Sequence, residues 1–263
     1  MRCLTCGLVQ IAPTPTSQEV RALYAHDWPH FSPYQSQRSA HQAYFSRILT
    51  FLLPLVSAKK RLRILDIGSA TGILLSEAGR RGIEAVGVDV SHDAVAYCRT
   101  HGLTAFEGTA KGVARRNKWR HRFDVVTACQ VIEHEQDPLA FFETIRHVLT
   151  PGGIVIVTTP NYDTPWRKVM GTRWIGYQHP EHLFFFTPGT LSLFLTKAKL
   201  NVSLVRPDFP RPYLLGYAFR RLREYIPGME WGFGPFERLL KDVQISVPVN
   251  PWGDMLLVAK RLV

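Results

Sequence analysis

The chain has 263 residues, long enough for one large α/β domain with an elaborated lid or for two small domains. Hydrophobic residues make up 46% and charged residues 20%, values that exclude a disordered or fibrous class. The formal net charge of +11 favours an acidic substrate, an anionic membrane surface or a nucleic acid, without choosing among them.

No apolar run approaches the 18 or so residues of a membrane span; the densest, Ile48 to Val56, falls in a helical pattern. Met1-Arg2-Cys3-Leu4 has neither an apolar h-region nor a cleavage site, so a cytoplasmic location is expected. Four cysteines do not make a disulfide framework. Much of the basic excess lies in Lys111 to Arg122 and Arg206 to Arg223, either solvated faces or binding surfaces.

In chain order, residues 1–60 hold a Cys-containing start, a Pro/Thr turn and two helical patterns. Ser17 can cap a helix over Gln18 to Ala25. Ser36 or Ser39 can start a longer one, with Tyr44, Ile48, Phe51, Leu52 and Leu55 on its buried face. From Arg61 strand and helix patterns alternate. Ile64 to Ile67, Ala85 to Val88, Thr104 to Phe106, Phe123 to Cys129 and Gly153 to Thr159 read as strands. Ile73 to Arg80, Asp93 to His101 and Pro138 to Leu149 read as helices. Continuous apolar strands alternating with helices imply a parallel sheet covered on both faces. Thr187-Pro188-Gly189 opens a helix to about Lys199, and Asn201 to Val205 and Met255 to Lys260 supply two more strands. Between those strands lie about 50 residues rich in Pro, Arg and aromatics.

Asp66-Ile67-Gly68-Ser69-Ala70-Thr71-Gly72 follows a strand and opens a helix. Ligands of open parallel sheets bind there, outside the carboxyl ends of the strands. Asp89 ends the next strand, where a carboxylate can accept both hydroxyls of an adenosine ribose. A dinucleotide calls for G-x-G-x-x-G, and Ala70 and Ile73 stand at the second and third glycine positions, so that fingerprint is poor. S-adenosylmethionine carries no phosphate and does not need that spacing. Its ammonium can be held near Asp66 and the loop carbonyls.

Leu65 to Gly72 resembles motif I of the class I S-adenosylmethionine-dependent methyltransferases, with Ser69 and Ala70 replacing residues that are often Cys or Gly. Gly87-Val88-Asp89 is similar to the second motif. Phe123 to Val126 with Val131 to His134 and Asp137-Pro138 resembles the fourth-strand motif, and Leu149 to Gly153 with Thr159-Pro160-Asn161 the fifth. The nearest branch of that family includes ubiquinone-biosynthesis O-methyltransferases. The resemblance covers about 61–162 strongly and His179 to Pro207 moderately.

The resemblance implies a Rossmann-like, seven-stranded, mostly parallel sheet with helices on both faces, S-adenosylmethionine as cofactor, and methyl transfer as activity. It divides the chain into an N-terminal segment and helical cap (1–60), a methyltransferase core (61–206) with an acceptor lid at about 161–187, a basic and aromatic insertion (207–250) and a last core strand (251–263). By position, Gly68, Ser69, Ala70 and Gly72 shape the loop. Asp89 binds the ribose, Val90 lies against the adenine, Thr109 is near it, and Gln130 is near the methionine portion.

A hydroxyl acceptor needs its proton removed, work commonly done by a positioned histidine. His134, at the rim of the implied cofactor pocket, and His182, among aromatics that could line an acceptor pocket, are the two candidates; each could instead serve only structure. His179 and His182 are metal ligands by type, but the sequence shows no third, so no metal is expected. Cys3-Leu4-Thr5-Cys6-Gly7 reads like half of a zinc site, similar to the end of a zinc ribbon that precedes the fold in some methyltransferases. Pro212 to Ile226 has helical spacing, with Leu215, Ala218, Phe219 and Leu222 on one face and Arg220, Arg221 and Arg223 elsewhere. Such a helix packs as a lid, rests transiently on an anionic membrane, or grips a phosphate-bearing acceptor. No nucleic-acid module is visible. The expected activity is O-methylation of a small, acidic or neutral lipid-, sugar- or quinone-type metabolite. The alternative is a non-catalytic S-adenosylmethionine-binding module acting through the basic helix.

Overall fold

The computed structural model describes residues 1–16, 19, 38–56, 61–114, 117–178, 181–210, 212–214, 239–240, 243–246 and 253–262. Ahead of the main sheet lie β1 (Val9–Gln10) and α1 (Arg38–Leu52). The central run is β2 (Arg63–Ile67), α2 (Ile73–Arg80), β3 (Glu84–Asp89), α3 (His92–Thr100), β4 (Ala105–Glu107), α4 (Ala110–Ala114), β5 (Phe123–Cys129), α5 (Pro138–Val148) and β6 (Leu149–Pro160). The rest is α6 (Pro165–Met170), α7 (Ile175–Gln178), β7 (Phe184–Phe185), α8 (Pro188–Lys197), β8 (Leu200–Pro207), β9 (Pro212–Leu214), β10 (Gln244–Ser246) and β11 (Asp254–Arg261).

Seven of these strands form one sheet in the order β4-β3-β2-β5-β6-β11-β8. The first five are parallel, and β11 runs antiparallel to both β6 and β8. Strand order reverses between β2 and β5, which creates a crevice at their carboxyl ends.

Side chains alternate across the sheet with the two-residue period of a strand. Leu65, Ile67, Val126, Ala128, Val155 and Val157 point to one face, where they meet Phe141, Phe142 and Ile145 of α5 and Leu191 and Leu195 of α8. Ile64, Val125, Ile154, Ile156, Leu256 and Val258 point to the other, against Tyr44, Ile48, Leu49 and Leu52 of α1 and Leu74 and Ala78 of α2. The strands read as unbroken apolar runs because both faces are covered.

Several sequence expectations change. Leu55 lies beyond the end of α1 and is 49% exposed, and Phe51 is only partly buried; Leu49 takes the buried position instead. β6 starts at Leu149, directly after α5, rather than at Gly153. Gly153 allows this tight start, since a Cβ there would lie 2.9 Å from the Thr150 carbonyl and 3.0 Å from that of Asp124. Asp124 itself is an anchor, accepting from the Arg63 amide (3.1 Å) and the Thr150 hydroxyl (3.2 Å). Pro212 to Leu214 is extended and pairs with β10, so the expected helix does not begin at Pro212. The remainder of that helix, the Gln18 to Ala25 helix apart from Glu19, Ser36 and His179 lie outside the described residues.

The N-terminal turn belongs to the body of the fold. β1 pairs antiparallel with β7, Ile11 donates to the Leu183 carbonyl, and Leu8 is buried in the main core. Among the described residues, no helix is long and apolar enough to cross a membrane.

Candidate cofactor and acceptor site

The loop after β2 turns through two left-handed glycines, Gly68 (φ 75°) and Gly72 (φ 69°), with Ala70 also at positive φ (43°). The Gly68 and Ser69 amides donate to the Val88 carbonyl, at 2.8 and 3.1 Å, so the loop folds back over the end of β3. No side chain fits at Gly72: a Cβ would stand 2.6 Å from Leu103 Cδ1 and 2.8 Å from Cys98 Sγ. Gly87 leaves room beneath Ser69, whose hydroxyl a Cβ at Gly87 would meet at 2.5 Å.

Asp89 is held at the loop's edge. Its Oδ2 accepts from the Ala70 amide at 2.7 Å and its Oδ1 from the Ser91 amide at 2.9 Å. A carboxylate has about four acceptor positions, the chemistry that ribose hydroxyls call for. Val90, next in sequence, is 46% exposed, an apolar side chain at the rim. Thr109 is exposed and caps α4 by accepting from the Gly112 amide at 3.2 Å.

Asp66 is buried, and its Oδ1 accepts a 2.6 Å hydrogen bond from Thr127. Burial pushes its carboxyl up to about 7, the Thr127 bond works against that rise, and Asp89 adds to it. A buried acid short of positive partners suits a cationic ligand. Gln130 closes the other side in a left-handed conformation (φ 57°), its amide donating to the Thr158 carbonyl at 2.8 Å. The Val131 side chain lies against Gly68, so the loops after β2 and β5 touch.

The two predicted histidines come together. The rings of His134 and His182 stand 4.7 Å apart, edge to face. His134 Nδ1 is 3.1 Å from the Glu181 carbonyl, and His182 Nδ1 is 2.9 Å from that of Gly176. A carbonyl only accepts, so each Nδ1 carries a proton, and in the neutral form of either ring Nε2 is the basic atom. The third member is Glu133, buried, with Oε2 accepting from Thr159 at 2.9 Å and Oε1 at 4.0 Å from His134 Nε2. Glu133, His134 and His182 each offer one ligand atom, all within 4.8 Å of one another. Of the two metal ligands by type that the sequence offered, His182 belongs to this group, with His134 and Glu133 beside it, and His179 lies outside the described residues. Beside this group, Tyr162, Trp174, Tyr177 and Phe185 form an aromatic wall, with ring centroids 5.1 to 6.3 Å apart.

Residues 34–205 match the family profile of the methyltransferase domain. This chain belongs to the methyltransferase-domain family. The chain is 33% identical over 171 residues to the ubiquinone biosynthesis O-methyltransferase of Cereibacter sphaeroides, a match covering 60% of this chain and 66% of the relative. The chain thus spans just under two thirds of that relative's length. Its fold is that of an S-adenosylmethionine-dependent methyltransferase from Archaeoglobus fulgidus (TM-score 0.56, 19% identity, 84% of this chain and 94% of that one). It is also that of one from Mesorhizobium loti (TM-score 0.53, 20% identity, 82% and 96%).

The residues present fit S-adenosylmethionine. The Ser69 hydroxyl is buried without a hydrogen-bond partner, the loop is kept free of side chains by glycine, and two carboxylates flank it. Asp66 and Asp89 would take the cofactor's positive and hydroxyl groups, while Gly68 to Gly72 would admit it close to the backbone. Sequence reading missed Thr127 and Thr159 and gave Glu133 no chemical role. Glu133 lay in a quoted motif, but only the fold shows that it faces His182, 49 residues on.

Proposed function

We propose that the protein transfers the methyl group of S-adenosylmethionine to a hydroxyl of a small, ring-bearing metabolite of the quinone-precursor type. The observation that carries this reading is the pairing of His134 and His182, each with Nδ1 on a carbonyl so that the neutral ring is basic at Nε2, one loop away from Gly68. The cofactor supplies an already activated methyl group when bound. The protein's own work is to align the acceptor, worth roughly 7–11 kcal/mol of barrier in well-oriented cases, and to remove its proton. An Nε2 lone pair can take the hydroxyl proton, and Glu133 beside His134 favours the imidazolium that results. The aromatic wall suits an aromatic acceptor, and the name of the Cereibacter relative points the same way.

A second reading rests on the same three side chains. Two imidazoles whose Nδ1–H groups are tied to carbonyls, with one carboxylate tied to a hydroxyl, form the donor set of a divalent cation with its outer shell in place. A cation there would lower the pKa of a bound hydroxyl without a protein base.

One assay separates the readings: release of S-adenosylhomocysteine from a panel of catechols, polyprenyl phenols and sugars, before and after chelation. Turnover unaffected by chelator supports the histidine base. Turnover lost and restored by a divalent metal supports the cation. Tight cofactor binding with no turnover on any hydroxyl would replace both with a binding module.

A further inference from the structure

A second polar cluster sits at the other end of the sheet. The turn before β5 contributes Arg120, His121 and Arg122; the end of α5 contributes Arg146 and His147; the end of β11 contributes Arg261. β11 is antiparallel to β6, so its last residues return to where β5 and β6 begin. The seven residues of β5 separate this group from the cofactor edge by about 20 Å.

Backbone bonds hold the frame. The His121 amide donates to the His147 carbonyl (3.1 Å) and the Arg122 amide to that of Val148 (2.9 Å). Arg261 donates to the carbonyls of Arg146 (2.8 Å) and Leu149 (2.7 Å). His121 is left-handed (φ 50°), and its ring stands 6.4 Å from that of His147. The Nε atoms of Arg122 and Arg146 are buried with no hydrogen-bond partner. Among the described residues, the ion pair recorded for this group is Arg122 with half-exposed Glu84, at 3.2 Å.

A cluster of guanidinium groups with two unmet N–H donors is a poor resting state. Partial burial and the neighbouring guanidiniums of Arg120, Arg146 and Arg261 hold both histidines below the usual imidazole range. An oxyanion offsets these costs. It accepts from guanidinium N–H groups that face solvent, neutralises the arginines and favours the imidazolium form of the histidines.

We propose that Arg120, His121, Arg122, Arg146, His147 and Arg261 form a binding site for a phosphate-bearing ligand at the foot of the sheet, remote from the cofactor cleft. The ligand is either a soluble phosphate ester or the headgroup of an anionic lipid, since both present the same oxyanion. Three structural elements converge here, two of them with a buried, unmet donor, and this distinguishes the group from a merely solvated basic face.

The test uses the whole chain and does not depend on turnover. Imidazole resonances of His121 and His147 are followed by NMR against pH in sodium chloride and in inorganic pyrophosphate at equal ionic strength. The site predicts that both histidines titrate higher in pyrophosphate, by about one pH unit. Arg120→Ser with Arg146→Gln should weaken pyrophosphate binding at least about tenfold and leave S-adenosylhomocysteine binding intact. A parallel arm measures sedimentation with phosphatidylcholine vesicles, with and without phosphatidic acid. Binding to the acidic vesicles alone, lost in the double variant, with no response to pyrophosphate, assigns the headgroup. If neither probe binds, or if the variant binds both as well as the wild type, the site does not exist. Arg120 is exposed, so Arg120→Ser alone carries the test if the double variant fails to fold.

Discussion

The backbone amide of Ala70, in the loop after β2, donates to Oδ2 of Asp89, at the end of the neighbouring strand β3, at 2.7 Å. One carboxylate therefore does two jobs. It pins the left-handed turn of the loop, and it offers the acceptor chemistry that a ribose calls for.

Asp89→Ala removes both roles. Hydrogen bonds to a charged group contribute about 1.5–3 kcal/mol, so cofactor affinity should fall by roughly 10- to 100-fold or more. Calorimetry with S-adenosylhomocysteine measures this, and unchanged affinity would remove Asp89 from the ribose contact.

Cofactor binding should depend on pH through Asp66. Its carboxyl, ordinarily near 3.8, is raised to about 7 by burial, so the empty folded protein holds this proton more tightly than the unfolded chain. The group's contribution to stability accordingly falls as pH rises from about 4 to 7 and is level above. A cationic ligand needs the ionised form, so its affinity should rise about tenfold per pH unit below 7 and level off beyond it. Asp66→Asn should flatten the profile. A wild-type profile flat from pH 5.5 to 8.5 would exclude this role.

The histidines can be told apart kinetically. If one Nε2 is the base, His134→Gln or His182→Gln should lower kcat by about 10²- to 10⁴-fold while S-adenosylhomocysteine affinity holds. A fall in both variants restored by added divalent metal would favour the cation reading. Wild-type kcat in both would leave neither as base.

Two substitutions probe the frame. Gly72→Ala puts a Cβ against Leu103 and Cys98 at a positive φ and should cost about 1–3 kcal/mol. Thr187→Ala breaks a reciprocal cap with Thr190, whose bonds are 3.1 and 2.9 Å, and should cost about 1 kcal/mol. Thermal unfolding with and without cofactor product reads both. A larger loss for Thr187→Ala than for Gly72→Ala would contradict the packing described at the loop.

Gly68 to Gly72 and Asp89 were legible before any fold was drawn, because glycine tolerance and a strand-end carboxylate are local properties. Five strands and their order of use followed from periodicity for the same reason. Leu55 was misplaced because helical spacing does not say where a helix stops, and Pro212 because spacing alone cannot tell a helix from an edge pairing with β10, some 30 residues further on.

The sequence by itself determined the family, the sheet and the side of it that faces a cofactor, since these rest on patterns within a few turns of chain. Tertiary structure alone decided the meeting of His182 with Glu133 and His134, and that of Arg120, Arg146 and Arg261. The members of the first group lie up to 49 residues apart in the chain and those of the second 26 to 141, and only strand order and burial bring them within reach. The Asp66 carboxyl shows the same division: its place was written in the motif, while its tightly held proton comes from the closing of the sheet around it, with Asp89 adding to the effect and the Thr127 bond opposing it.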